Sequence, residues 1–334
     1  MNETSDQPDH LNWTLNDENQ YNEVEWYNIN IKIITPILCL VCYSVTFIVG
    51  IIGNSLVIWI AGFNMESIYA VWFLNLAITD FICNIALLLR ITEWTLHILN
   101  NWPLGYMFCK ISTPMTFFNM LTSVYFLTVI SMDRCVSIMW PIWAKLQRTS
   151  RLARIISVII WIVCLIITIP HITFYNAIDD MSDCLPKYSD EIPEESKHSV
   201  YAILTTKLLS LFLIPCCIIL TCYGLIYYKL ALLKKPGRYQ QSLKVITAVV
   251  ISFFVCWCPY SIWPFIILNS KYWDIDFLLS QIFSCLAYFN SCINPILYVF
   301  YCKDFKNTLR KSIPTMMYCA TDHSDRELNS RSCT

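Results

Sequence analysis

Hydrophobic residues in this chain come in long uncharged runs and are not spread at a helical or strand period through a polar background. Stretches with no Asp, Glu, Lys or Arg cover residues 33–65, 111–132, 155–178, 208–228, 245–270 and 277–302, and a further run, 67–89, is broken only by Asp80. The hydrocarbon core of a bilayer is about 30 Å thick and an α-helix rises about 1.5 Å per residue, so roughly 20 apolar residues make one crossing. Seven runs reach that length, which predicts an all-α membrane protein with a seven-helix bundle over residues 33–302. A β-barrel would need period-2 alternation in segments of about ten residues, and none is present. An inverted-repeat transporter would show paired halves with broken helices, which an odd count of seven fits poorly.

Composition narrows the function classes. Of 334 residues, 56% are hydrophobic and 14% charged, against about 25% charged in a soluble domain. No two of the six glycines stand in a G-x-G-x-x-G or G-x-x-x-x-G-K-[ST] frame, so dinucleotide and P-loop readings fail. The histidines form no H-E-x-x-H and there is no G-x-S-x-G elbow, so neither a metal centre nor a hydrolase is expected. The expectation is a protein that is not an enzyme and carries no cofactor.

Charge sets the orientation. The first 31 residues hold no Lys or Arg, and their acids include Asp17, Glu18, Glu23 and Glu25. The connections after the third and fifth spans and the C-terminal tail hold fifteen Lys and Arg, against Lys187, Lys197 and Lys271 in the outer loops. Positive charge stays on the cytoplasmic side, which puts the N-terminus outside. The first cytoplasmic loop, residues 62–66, is the exception, with no basic residue. Three regions follow: an acidic outer tail over 1–32, the bundle over 33–302 and a cytoplasmic tail over 303–334. Residues 1–30 lack the apolar core of a signal peptide, so the first span is expected to act as its own insertion signal. Asn2 and Asn12 stand in N-x-[ST] frames on the outer tail. Of 17 cysteines, Cys109 and Cys184 fall in oxidising space and are expected to form one disulfide, while most of the rest read as small apolar fillers.

Ionisable and amide groups at membrane depth are costly and face an interior. Asp80 lies mid-span. Asn119 and Ser123 are four residues apart and share a helix face, as do Asn290 and Asn294, with Asn54 available from the first span. Two readings stand: oxygen ligands around a small hard cation, or a hydrogen-bonded network joining helices. Arg134 follows Asp133 at the inner end of the third span, either as a snorkelling arginine or in a switchable ion pair with that acid. Lys207, Arg90 and Glu93 lie near outer span ends, where they snorkel or line an outward pocket. Pro215, Pro259 and Pro295 predict kinks, and Trp257 just below Pro259 is a candidate moving part. Phe305, Leu309 and Ile313 recur at i, i+4, i+8 among basic residues, which predicts a short amphipathic helix on the inner leaflet. Cys319 beyond it is a palmitoylation candidate.

Gly53-Asn54, Leu76 to Asp80, Asp133-Arg134-Cys135, Trp161, Pro215 with Tyr223, Cys256-Trp257-Cys258-Pro259 and Asn294-Pro295 through Tyr298 occur in order, one set per span. Together they resemble the rhodopsin-like G-protein-coupled receptors. Val71 to Ala77, Asn119 to Val124, Ser131 to Cys135, Phe253 to Tyr260 and Phe289 to Pro295 resemble the chemoattractant branch: the chemerin, formyl-peptide, complement anaphylatoxin and prostaglandin D2 chemotactic receptors. The second, third and sixth spans look most similar to the chemerin receptor. The resemblance implies a multi-pass plasma-membrane receptor for an extracellular chemoattractant, a peptide or small protein or else a carboxylated lipid. It further implies Gi-class coupling, with arrestin and membrane lipids as partners and no nucleic acid. It implies a ligand pocket of Lys207, Arg90, Glu93, Thr116, Trp257 and Tyr260, with Lys207 receiving a carboxylate. It implies an allosteric Na+ pocket of Asp80, Asn119, Ser123, Asn290 and Asn294. The implied cytoplasmic switch is Asp133, Arg134, Ile142, Tyr223 and Tyr298. Cys135 departs from the usual Tyr after Asp-Arg. The acidic outer tail favours a basic protein ligand by charge.

Overall fold

The computed structural model describes residues 9–64, 67–99, 102–177, 194–233, 237–267, 273–301 and 306–310. They are almost wholly helical: α1 (Asp9–Phe63), α2 (Ile68–Ile98), α3 (Trp102–Met139), α4 (Pro141–Gln147), α5 (Ser150–Ala177), α6 (Glu194–Leu208), α7 (Ile214–Leu233), α8 (Gly237–Ile267) and α9 (Trp273–Tyr301). A five-residue π turn, Leu209–Leu213, joins α6 to α7 as one span. Six spans among the described residues are long and apolar enough to cross a membrane. α9 is the seventh by its sequence, and it packs against α1, α2 and α8. The result is a seven-helix bundle. α1 begins at Asp9, so the helix reaches back into the acidic leader, well before the uncharged run.

Apolar stripes face lipid. On α1, Ile37, Val41, Val45, Ile48 and Ile52 are exposed in near-helical steps, and on α5 so are Ile155, Val158, Ile162 and Ile166. The inside is held differently. α3 runs through the centre with Met120, Leu121, Val124 and Phe126 fully buried, packing on α2, α5, α7 and α8. Polar links pin the helices where apolar surface cannot discriminate partners, because lipid is as apolar as leucine. The Trp161 indole of α5 donates to Asn75 Oδ1 of α2 at 2.9 Å, and Thr79 and Thr122 bond α2 to α3 at 2.6 Å. Asn54 Nδ2 of α1 donates to the Ser291 carbonyl of α9 at 2.9 Å. That spends the Asn54 donors on backbone, since it also reaches the Gly50 carbonyl, so Asn54 does not bond the Asp80 carboxylate.

Gly50 and Gly53 permit close approach of α1 to its neighbours. A Cβ at Gly50 would stand 2.1 Å from Asn84 Oδ1, and one at Gly53 would stand 2.9 Å from the Pro295 Cβ. Asn84 has little room to retreat, because its amide donates to the Asp80 carbonyl at 2.7 Å. Gly50→Ala is therefore expected to cost about 1–3 kcal/mol through overpacking, read as a lower thermal midpoint of the purified protein in detergent. An unchanged midpoint would contradict this packing account.

The bend anticipated at Pro215 has a different construction from a simple proline kink. Proline offers no N–H and its ring clashes with the carbonyl four residues back. The span widens to a π turn just before it, with the Ile214 N–H reaching the Leu209 carbonyl. The Ser210 hydroxyl donates to the Lys207 carbonyl at 3.3 Å. Pro259 and Pro295 lie inside continuous helices. Residues 306–310 are helical, and Leu309 packs on the main core, as the amphipathic pattern requires; Phe305 and Ile313 lie outside the described residues.

Candidate functional site

Polar groups collect at three depths along the bundle axis. Outermost, Lys207 Nζ stands 5.0 Å from the Tyr260 ring and 5.7 Å from the Phe117 ring. No carboxylate among the described residues pairs with it. The aromatic faces supply partial compensation, since a cation over a ring is attracted to its quadrupole. Tyr260 also meets Trp257 edge-on at 5.8 Å, and Trp257 meets Phe253 at 6.2 Å. An unbroken aromatic column therefore runs from the Lys207 ammonium to the buried indole at the bundle centre.

Arg90 and Glu93 do not snorkel. Glu93 is only 3% exposed, and Arg90 Nη1 grips both its oxygens, at 2.9 and 3.2 Å. Arg90 also donates from Nη2 to Thr113 at 3.2 Å and from Nε to the Tyr288 hydroxyl at 3.4 Å. The Tyr288 hydroxyl is in turn hydrogen-bonded to Thr116. This is an internally neutral network tying α2, α3 and α9. A buried ion pair with satisfied hydrogen bonds can persist where a lone charge cannot. Arg90 and Glu93 cancel, whereas the Lys207 charge has no paired carboxylate among the described residues.

At mid-depth, Asp80 is fully buried. Its carboxylate accepts from Asn294 Nδ2 at 2.7 Å and Asn119 Nδ2 at 3.3 Å. Five side-chain oxygens of the polar residues that the sequence singled out are buried without a hydrogen-bond partner: Asn54 Oδ1, Asn119 Oδ1, Ser123 Oγ, Asn290 Oδ1 and Asn294 Oδ1. A network serving only to join helices would use those oxygens, since buried acceptors without partners are rare and costly. One carboxylate and several neutral oxygens form the donor set that hard cations prefer. The residues fit such an ion.

At the cytoplasmic end the pairing of neighbours, one of the two readings of the sequence, gives way to a longer-range one. Asp133 binds Arg148 through both oxygens, at 2.5 and 2.6 Å, and not Arg134. Arg148 precedes α5; burial pushes its guanidinium down, but the Asp133 carboxylate and Tyr69 together lift it above its ordinary pKa. Adjacent residues on a helix point about 100° apart, which is why Asp133 and Arg134 turn to different partners. The Arg134 guanidinium instead lies over the Tyr69 ring, 3.5 Å from its centroid. Tyr223 packs on the main core nearby, and Ile142 is 79% exposed on α4. Tyr69, Tyr288 and the pairing role of Arg148 had no signal in the sequence: aromatic and end-of-span basic residues are common there. The side chains of Tyr298 and Cys109, and the residues Cys184, Asn2, Asn12 and Cys319, lie outside what the structure describes.

Comparison with known proteins identifies the family over most of the chain. Residues 53–298 match the family of 7-transmembrane receptors of the rhodopsin type. The chain is 36% identical to N-formyl peptide receptor 3 of Macaca mulatta, over 84% of each chain. It is 34% identical to formyl peptide receptor 2 of Mus musculus, over 87% of each. Against N-formyl peptide receptor 2 of Homo sapiens it is also 34% identical, over 93% of this chain and 92% of that one.

Proposed function

The chain belongs to the rhodopsin family of seven-transmembrane receptors, and we propose that it answers an extracellular chemoattractant peptide or small protein carrying a carboxylate, through a Gi-class G protein. It is a multi-pass plasma-membrane receptor of the chemoattractant branch, not an enzyme. The observation that carries the ligand reading is the Lys207 ammonium, half-buried between Tyr260 and Phe117 with no described carboxylate paired to it. A ligand carboxylate would complete that charge and press on Tyr260, which touches Trp257. The acidic leader supports a basic peptide or a chemerin-like protein over a lipid, because opposite charge steers encounter. The cytoplasmic face around Arg134 and Ile142 would receive the G protein and, in competition with it, arrestin. Lys306 and Arg310 beside Leu309 suit inner-leaflet anionic lipids.

Calcium release or cyclic-AMP suppression in transfected cells tests this against N-formyl peptides, chemerin-type peptides and carboxylated lipids. A response to carboxylate-bearing peptides that is blocked by inactivating Gi is expected. Activation by lipids alone would overturn the ligand reading.

The Asp80 site adds a second test. Asp80 with Asn119, Ser123, Asn290 and Asn294 would hold a sodium ion in the resting state, where a bound cation neutralises the carboxylate. Two ligands that prefer different states oppose one another reciprocally, by about 5- to 150-fold in typical cases. Agonist affinity is expected to fall as sodium chloride replaces choline chloride, and to become independent of sodium in Asp80→Asn. Full sodium dependence in that variant would refute the assignment.

A further inference from the structure

The cytoplasmic end of α3 contains an arrangement that neither the family match nor the switch residues explain. Two guanidinium groups converge on one aromatic ring: the Arg134 Cζ at 3.5 Å from the Tyr69 centroid and the Arg148 Cζ at 4.4 Å. Like charges repel at such range. Arg148 is at the same time held in an ion pair with both Asp133 oxygens. Tyr69 does not drift into this position. It sits in the first turn of α2, whose start is fixed by Ser67, with the Ser67 Oγ accepting from the Ala70 N–H at 3.1 Å, and it packs on the main core.

We infer that Tyr69 is the positioning residue of the resting receptor: its ring holds Arg134 against α2, and the Arg134 side chain must leave that ring before it can serve a G protein. The inference rests on the proposed role of Arg134 and adds what restrains it. Arg148 makes the restraint bistable. While the ring is shared, the π face and the Asp133 carboxylate offset the repulsion between the two cations. Once Arg134 leaves, Arg148 remains on the ring with its acid, and return means bringing a second positive charge back to an occupied face. The contact with Arg134 is through the aromatic face, 3.5 Å from its guanidinium, and the tyrosine hydroxyl is tested separately.

That distinction makes the test specific. Purified receptor in lipid nanodiscs, with a Gi heterotrimer and no agonist, is assayed for nucleotide exchange. Tyr69→Leu keeps an apolar side chain but removes the π face, and it is expected to raise basal exchange about 3- to 10-fold, the size of a partly desolvated cation–π contact. Tyr69→Phe is expected to stay within about twofold of the parent. A fluorescent non-natural amino acid at position 244, on α8, reads cytoplasmic opening with no G protein present; it should shift in Tyr69→Leu and not in Tyr69→Phe. Unchanged exchange and fluorescence in Tyr69→Leu, or equal increases in both variants, would overturn the inference. If Tyr69→Leu is silent while Arg134→Ala abolishes exchange, only the restraint fails. If Arg134→Ala itself leaves exchange intact, the underlying switch reading fails instead.

Discussion

Arg134→Ala is expected to abolish agonist-driven nucleotide exchange while leaving ligand affinity and surface number near those of the parent. Arg134 lies at the inner end of α3, many helical turns from the outer cavity, and touches none of the residues around Lys207. On activation we expect α8 to swing outward about Pro259 and Arg134 to leave the Tyr69 ring, so that its guanidinium turns to the G protein. Charge-assisted hydrogen bonds are worth about 1.5–3 kcal/mol each. Losing even one lowers exchange by about 10- to 150-fold, and losing more removes it from measurement. Exchange is followed by nucleotide uptake on purified heterotrimer, with surface receptor counted in parallel. Retained exchange at normal surface number would show that α3 carries no switch.

Lys207→Ala is expected to weaken a carboxylate-bearing peptide agonist by about 10- to 150-fold, from the same range for a charge-assisted bond, and to leave its amide counterpart almost unaffected. The chemistry around Lys207 makes the comparison clean. Glu93, the acid nearest in kind, is already gripped by Arg90 at 2.9 Å and cannot serve as the lysine's standing partner. Removing the ammonium therefore strands no carboxylate among the described residues, which avoids the penalty that usually confuses such substitutions. Competition binding of the acid and amide forms to parent and variant supplies the four affinities. Equal losses for both forms would mean that Lys207 supports the cavity wall through Phe117 and Tyr260, and the carboxylate assignment would fall.

What the sequence makes legible is whatever repeats along one helix. Uncharged runs mark the spans because lipid penalises charge wherever it lies along a crossing, and the Asn119/Ser123 and Asn290/Asn294 spacings place polar groups on shared faces. The structure has the helical spans, and it hydrogen-bonds Asn119 and Asn294 to the Asp80 carboxylate. Contacts between distant segments are not written in spacing. Asp133 and Arg134 are adjacent, which left a pair open as one reading, yet helical geometry sends them apart and a residue fifteen positions on takes the acid. Arg90 and Glu93 looked like interfacial charges because their depth alone is visible in sequence. That Thr113 and Tyr288 wait inside to receive Arg90 is a fact of packing between α2, α3 and α9. The π turn before Pro215 escaped for a related reason, since five leucine-rich residues fit α and π geometry equally well.

That π turn also governs how this receptor's outer wall can change over evolutionary time. A π turn is an α-helix with one residue inserted, and one residue of helix is about 100° of rotation. Everything outside Leu209–Leu213, Lys207 included, is indexed by that extra residue relative to the inner half of the span. Substitutions within the turn alter packing but leave the indexing alone. A single-residue deletion there would rotate the ammonium about 100° away from Phe117 and Tyr260, with every side chain of the span retained. Ligand preference on this wall is thus encoded in chain length as much as in residue identity, and an alignment that tolerates a one-residue gap there would hide a change of specificity.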